Sequence, residues 1–221
     1  MTPANNTDTP RRGLLPEPTL RRLPWYLAHV SMLADRGVSH VSSTAIARQL
    51  NVDPSQIAKD LSFIGIRGKT RIGYEVPSLV GALEDFLGFK RGHNALLVGV
   101  GSLGSALIAD SGLQRYGLNI VAAFDSNPDI AGTSIGNVPV FPPEELARRR
   151  RLYRAEIGIV AVPADAAREV ARQLVDAGVK ALWNFTPFRI VAPEGIVIQN
   201  TSIYAHLAVL YNRMNTATLS Q

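Results

Sequence analysis

The sequence predicts an α/β fold in two parts, and three observations carry that prediction. A glycine run, Gly99-Val100-Gly101-Ser102-Leu103-Gly104, follows the apolar stretch Ala95-Leu96-Leu97-Val98 and precedes a helix-like segment. Beyond it, apolar strand-like runs alternate with helical ones, the signature of a parallel sheet. Before it, residues 1–90 read as short helices followed by a basic, glycine-punctuated segment.

Composition narrows the possibilities. The chain has 221 residues and is 46% hydrophobic, enough for a large core or two smaller ones. No stretch reaches the roughly 18 consecutive apolar residues of a membrane span. Met1 to Thr9 is polar and lacks the charged-then-apolar order of a signal peptide, so residues 1–17 are expected to be a disordered tail. With no cysteine, disulfides, thiolate metal sites and thiol redox chemistry are excluded, and a cytoplasmic location is expected. The formal net charge of +5 points mildly to an anionic partner.

Residues 18–88 read as a winged helix-turn-helix. Leu20, Leu23, Leu27, Val30 and Leu33 recur at helical spacing, with Pro24 placed to kink or reset the start. Val41 to Leu50 holds a short helix with a Ser or Thr cap. Asn51-Val52-Asp53 makes a tight connection, and Asp53 caps a second helix whose first residue is Pro54. Gly65 to Tyr74 follows, with Arg67, Lys69 and Arg71 among three glycines, and predicts a small β-hairpin with a positive tip. Val76 to Leu87 closes the unit as a helix, and Gly88 to Asn94 is a linker.

Residues 89–200 predict a Rossmann-like parallel sheet. Strands are expected at 95–99, 118–124, 156–162, 180–184 and 196–199, and helices near 103–116, 143–152 and 164–177. Thr201 to Arg213, within a segment 201–214, is a last helix with Ile203, Leu207, Leu210 and Tyr211 on one face, suited to packing on a second subunit.

The glycine run has the form that cradles a dinucleotide. Gly99 permits the tight turn, Gly101 lets the backbone approach a pyrophosphate, and Gly104 allows close helix–strand packing. Asp125 lies at the end of Ile120-Val121-Ala122-Ala123-Phe124, where a ribose-binding acid belongs. Its charge would repel a 2′-phosphate, so NAD(H) is favoured over NADP(H). A small NAD-dependent oxidoreductase is the competing reading. Against it, His29, His40, His93 and His206 join no carboxylate in a dehydrogenase-like constellation, and no metal-ligand spacing occurs. On the second short helix, Gln56 and Lys59 are base or phosphate contacts for DNA, supported by Arg67, Lys69 and Arg71 in the wing. The block Arg148-Arg149-Arg150-Arg151 reads as a solvated helix face.

Over about residues 18–214 the chain resembles the Rex family of redox-sensing repressors. The likeness rests on Arg21-Arg22-Leu23-Pro24-Trp25-Tyr26-Leu27, Val41-Ser42-Ser43, Lys59-Asp60-Leu61-Ser62, Arg67-Gly68 with Gly73-Tyr74, and Leu97 to Gly104. It extends to Phe124-Asp125 with Asn127-Pro128, Val162-Pro163-Ala164 and Asn184-Phe185-Thr186-Pro187. The resemblance implies a homodimer with a domain-swapped terminal helix, bound to an inverted-repeat operator when NAD⁺ predominates and released by NADH. It adds Ser43 to the DNA contacts, and Val162, Pro163, Asn184, Thr186 and Pro187 to the cofactor site. Ala58 stands where the family usually has Arg. Asp110, Ala28 and Ser202 stand where a Tyr, an Arg and an Asp form its sensing network. The family's sheet domain is itself similar to CoA-binding domains, which makes a CoA-binding protein a further alternative.

Overall fold

The computed structural model describes residues 15–191 and 193–218, and the chain divides into two compact units between Lys90 and Arg91. The expected tail lies outside the described residues as far as residue 14. Its last part is ordered: Leu15 packs on the first core and Glu17 opens a helix.

The first unit comprises α1 (Glu17–Asp35), β1 (His40–Val41), α2 (Ser43–Leu50), α3 (Pro54–Phe63), β2 (Tyr74–Glu75) and α4 (Val76–Leu87). Its local signals are realised at the helix starts. Ser42 Oγ accepts from the Ala45 N–H at 3.1 Å, and Asp53 Oδ1 accepts from the Ser55 N–H at 2.7 Å. Pro24 does not reset α1, which runs on from Glu17. Leu23, Tyr26, Leu27, Ile46, Ile57, Leu61, Leu79 and Leu83 form the core.

The expected hairpin at 65–74 is smaller than predicted. Lys69 and Gly73 exchange two backbone hydrogen bonds of 2.8 Å around a turn, with no regular strand pair within it. The ladder instead joins Tyr74–Glu75 to His40–Val41, a pairing across more than thirty residues that local periodicity does not report. Gly73 makes this possible: at φ +90°, a Cβ there would lie 2.4 Å from the Val41 carbonyl oxygen.

Asp60 of α3 is 0% exposed, and both of its oxygens are engaged. Oδ1 accepts from Thr19 Oγ1 (3.0 Å), Arg22 Nη2 (2.9 Å) and Gln56 Nε2 (2.8 Å). Oδ2 accepts from Arg22 Nε (2.7 Å) and the Tyr26 hydroxyl (2.7 Å). Burial pushes this carboxyl up. The hydrogen bonds from Arg22, Tyr26, Gln56 and Thr19 outweigh that and hold it below the ordinary carboxylate value. Burial, and then the hydrogen bond to the Asp60 carboxylate and its charge, raise the Tyr26 hydroxyl, against the opposing effect of Arg22.

The second unit holds a seven-stranded sheet in the order β5-β6-β4-β3-β7-β8-β9, parallel except for β5. Its strands are β3 (His93–Val98), β4 (Leu118–Phe124), β5 (Ser134–Ile135), β6 (Val138–Phe141), β7 (Ile157–Val160), β8 (Ala181–Asn184) and β9 (Val197–Asn200). Its helices are α5 (Ser102–Ala109), α6 (Ser111–Arg115), α7 (Leu146–Tyr153), α8 (Ala167–Asp176) and α9 (Ile203–Thr218). The five expected strands are present, with His93 in β3 rather than in a linker.

Sequence reading missed the β5–β6 hairpin, although Gly136-Asn137 is a two-residue turn signal. Pro139 inside β6 masked it. The single helix expected at 103–116 is broken because Asp110 leaves helical geometry and caps α6, accepting from the Gly112 N–H at 2.7 Å. Central strand β3 is buried on both faces, Ala95 and Leu97 in one cluster and Leu96 and Val98 in the other.

A carboxyl held low in the folded state stabilises at any pH above its unfolded value of about 4, and that stabilisation disappears as pH falls through the folded value. Chemical unfolding followed by circular dichroism should therefore show Asp60's contribution intact at neutral pH and lost in acid. Asp60→Asn, with no carboxylate to protonate, should show a shallower loss between pH 7 and pH 3; an equal slope would refute this account.

Candidate functional site

Two surfaces bring the sequence-predicted residues together, one in each unit. In the second unit they gather at the C-terminal ends of β3, β4, β7 and β8, the edge where open parallel sheets take ligands. The three glycines have three distinct environments. Gly99, at φ +94°, turns the chain where a Cβ would lie 2.5 Å from the Ala161 carbonyl oxygen. At Gly104 a Cβ would come within 2.1 Å of the Gly99 carbonyl oxygen, so α5 sits against the turn only because that side chain is absent. A Cβ on Gly101 would meet nothing within 4 Å. That opening lies directly before α5, whose N-terminus has no side-chain cap. An uncapped helix start beside open space suits a phosphate. Ser102 is exposed at the first turn, and Leu103 is half-buried behind it.

Asp125 lies beside this turn. Its Oδ2 accepts from the Val100 N–H at 2.8 Å and its Oδ1 from the Asn127 N–H at 2.9 Å. The carboxylate thus ties the end of β4 to the glycine turn, and it stays partly exposed. Next to it is a cavity of about 410 Å³ bounded by Asp125, Pro128, Ala131, Pro142 and Glu144. Val162, after β7, borders the turn, since a Cβ on Gly99 would lie 2.9 Å from its Cγ1. Pro163 and Pro187 are exposed.

Asn184 and Thr186 need correction as cofactor contacts, because both side chains are buried and committed. Asn184 Nδ2 donates to the Phe188 carbonyl at 2.7 Å and to Asn200 Oδ1 at 2.8 Å, while its Oδ1 accepts from the Thr186 N–H at 2.9 Å. Thr186 Oγ1 donates to the Phe188 carbonyl at 3.1 Å. Asn200, which sequence reading missed, bonds both backbone groups of Ile190 at 3.0 Å. Together these amides shape the loop after β8.

In the first unit a concavity of about 630 Å³ runs between α3 and the wing. It is lined by Ser42, Ser43, Ala58, Ser62 and the segment Ile66–Tyr74. Arg67, Lys69 and Arg71 are exposed along it, and Lys59 is exposed on α3. Among the described residues none of these four cations is in an ion pair. Ser43 opens α2 at the same concavity. Gln56 is half-buried, and one N–H of its amide donates to Asp60 Oδ1 at 2.8 Å, which turns that group toward the packing of α3 rather than toward the concavity. In the arginine block Arg148 and Arg151 are exposed and Arg149 and Arg150 half-buried, and its contacts are made within its own unit. Arg148 and Arg149 pair with Glu145, Arg149 lies 3.6 Å over the Phe141 ring, and Arg150 donates to the Gly178 carbonyl.

Comparison with known proteins finds matches in both units. Residues 90–188 match the family model for a CoA binding domain, and residues 15–62 match one described as "Putative DNA-binding protein N-terminus". The redox-sensing transcriptional repressor Rex of Bacteroides fragilis is 55% identical over 201 residues, 91% of each chain. Rex of Porphyromonas gingivalis is 54% identical over 202 residues, 91% of this chain and 93% of that one. Among solved structures, RSP in complex with beta-NAD+ and operator DNA aligns with a TM-score of 0.88 and 31% identity over 94% of this chain and 96% of that one. RSP in complex with beta-NADH aligns at 0.84 and 30% identity over 94% and 98%. Identity at this level along nearly the whole length of both chains makes the protein a member of the Rex family of redox-sensing transcriptional repressors.

Proposed function

We propose that this chain is a transcriptional repressor that grips an inverted-repeat operator through its winged helix-turn-helix and reads the NADH/NAD⁺ ratio at the Gly99–Gly104 turn. The observation that carries the reading is the open space at Gly101 before an uncapped α5, with the Asp125 carboxylate alongside. A pyrophosphate placed over Gly101 meets the N–H groups of Ser102 and Leu103. A ribose diol donates to Asp125, whose lone pairs are only partly used by Val100 and Asn127. Val162 borders the same turn, with Pro163 next along the chain.

On the DNA side, Lys59, Arg67, Lys69 and Arg71 neutralise phosphates, and Ser43 adds a hydroxyl and a helix start to the backbone contacts. Two copies join through α9, whose Ile203, Tyr204, Leu207, Leu210 and Tyr211 are all exposed in one chain, and the dimer's two-fold matches the operator's. Ser202 caps this helix, accepting from the Ala205 N–H at 3.2 Å. The protein works in the cytoplasm, with its operator and the NAD(H) pool; no helix among the described residues is long and apolar enough to cross a membrane.

Reduction removes the nicotinamide's positive charge. A preference of about 1–3 kcal/mol for the released conformation changes operator affinity from several-fold to about a hundredfold. Coenzyme A is the second reading, favoured by the name of the matching family model. Asp125 opposes it, since a carboxylate at the ribose repels a ribose phosphate.

Three measurements test these assignments. Calorimetry with NADH, NAD⁺ and CoA should give heats for the first two only; tight CoA binding would overturn the cofactor assignment. Operator affinity titrated with NADH at fixed NAD⁺ and salt should fall by at least several-fold, and a flat titration would sink the redox switch while leaving DNA binding intact. Gly101→Val should lower the melting temperature far less than Gly104→Val, since its Cβ meets nothing, yet weaken NADH by roughly tenfold or more through the lost backbone approach. Tight NADH binding by a folded Gly101→Val protein would place the phosphates elsewhere.

A further inference from the structure

Asp60 is the only fully buried charged side chain among the described residues, and it sits on α3 next to the exposed Lys59. Successive helical residues point about 100° apart, so the direction of Asp60 fixes the direction of its neighbour. The apolar residues that seat α3, Ile57 and Leu61, are held by an attraction that is itself non-directional. The five hydrogen bonds to Asp60 are directional, because each weakens steeply with misalignment. Three of the four donor side chains, Thr19, Arg22 and Tyr26, come from α1, and the fourth, Gln56, comes from one turn earlier on α3.

We propose that Asp60 is a positioning residue for operator recognition: clamped by Thr19, Arg22, Tyr26 and Gln56, it sets the rotation of α3 that turns Lys59 and Ala58 toward the DNA and holds Gln56 away from it. The proposal rests on the DNA-binding reading above. It assigns specificity to a group that never touches a base. It also gives Gln56, a residue type able to read adenine, a role inside the clamp. Arg22 has a place in it too: its guanidinium meets both carboxylate oxygens, a bidentate geometry that Lys cannot reproduce.

The test uses the full-length protein, an operator duplex selected by the wild type from an inverted-repeat library, and a scrambled duplex of equal length. Asp60→Asn, equal in size, should weaken the selected operator by about tenfold or more while scrambled DNA, held by phosphate contacts alone, changes by less than about threefold. NADH affinity should be unchanged. Tyr26→Phe removes one hydrogen bond and keeps the ring, so it should fold and lower the same ratio by a few-fold. Gln56→Ala, which also removes one donor of the clamp, should lower the same ratio by a few-fold without changing which bases are preferred, and its loss should not add to that of Asp60→Asn in a double-mutant cycle.

Equal losses on both duplexes would mean a merely structural role and overturn the proposal. So would an unchanged ratio in Asp60→Asn or, should that variant fail to fold, in Tyr26→Phe. A shifted base preference in Gln56→Ala would overturn it as well. Wild-type protein unable to tell the two duplexes apart would refute the DNA-binding reading itself, whereas a discriminating wild type with insensitive variants refutes only the clamp.

Discussion

The sheet unit depends on one close approach of backbone to backbone. Where Gly99 turns out of β3, its carbonyl oxygen faces Gly104 of α5 at a distance that no Cβ allows, and on the other side the Ala161 carbonyl closes on Gly99 itself. Because β3 is buried on both faces at the centre of the sheet, this junction cannot relax by moving the strand. The start of α5 is therefore placed by packing, its first turn uncapped by any side chain and beside the open space at Gly101. That is preorganisation in the physical sense: the cost of ordering the donors is met by folding rather than by binding.

The winged unit solves its placement problem with charge. Its recognition helix buries only two apolar side chains, Ile57 and Leu61, and a buried carboxylate with five directional contacts adds to what their contact area supplies. Burying an ion is expensive, and it is tolerable here because every donor around Asp60 is in place. The two units thus use opposite means, absent side chains in one and a fully satisfied charge in the other, to hold a helix at a required angle.

Much of the site was legible in the sequence. Gly99 and Gly104 are residue types the turn itself forces, and Gly101 and Asp125 stand at the spacing expected of a dinucleotide site, so spacing brought all four into the candidate site. Ser42 and Asp53 were equally readable, since a cap acts within three residues. The misreadings share one cause. Gln56, Asn184 and Thr186 carry polar groups able to face either a ligand or the protein, and only their three-dimensional neighbours decide which. The wing was overdrawn because its strand found a partner at His40–Val41, and β6 was missed because Pro139 hides a strand that β4 and β5 hold from both sides.

The sequence by itself determined the order of the units, the elements with strong local periodicity, and the glycine turn with its downstream acid, because helix period, capping and positive-φ turns are short-range properties of the chain. The tertiary structure alone decided which polar side chains are free. The lone pairs of Asp125 remain partly available, and the cations Lys59, Arg67, Lys69 and Arg71 form no ion pairs among the described residues. Asn184 and Thr186 are committed to their own loop, while Gln56 and three of the four clustered arginines each have at least one bond within their own unit. Hydrogen-bond capacity is finite and is claimed by whichever partner folding brings within about 3 Å, a distance that sequence separation does not encode.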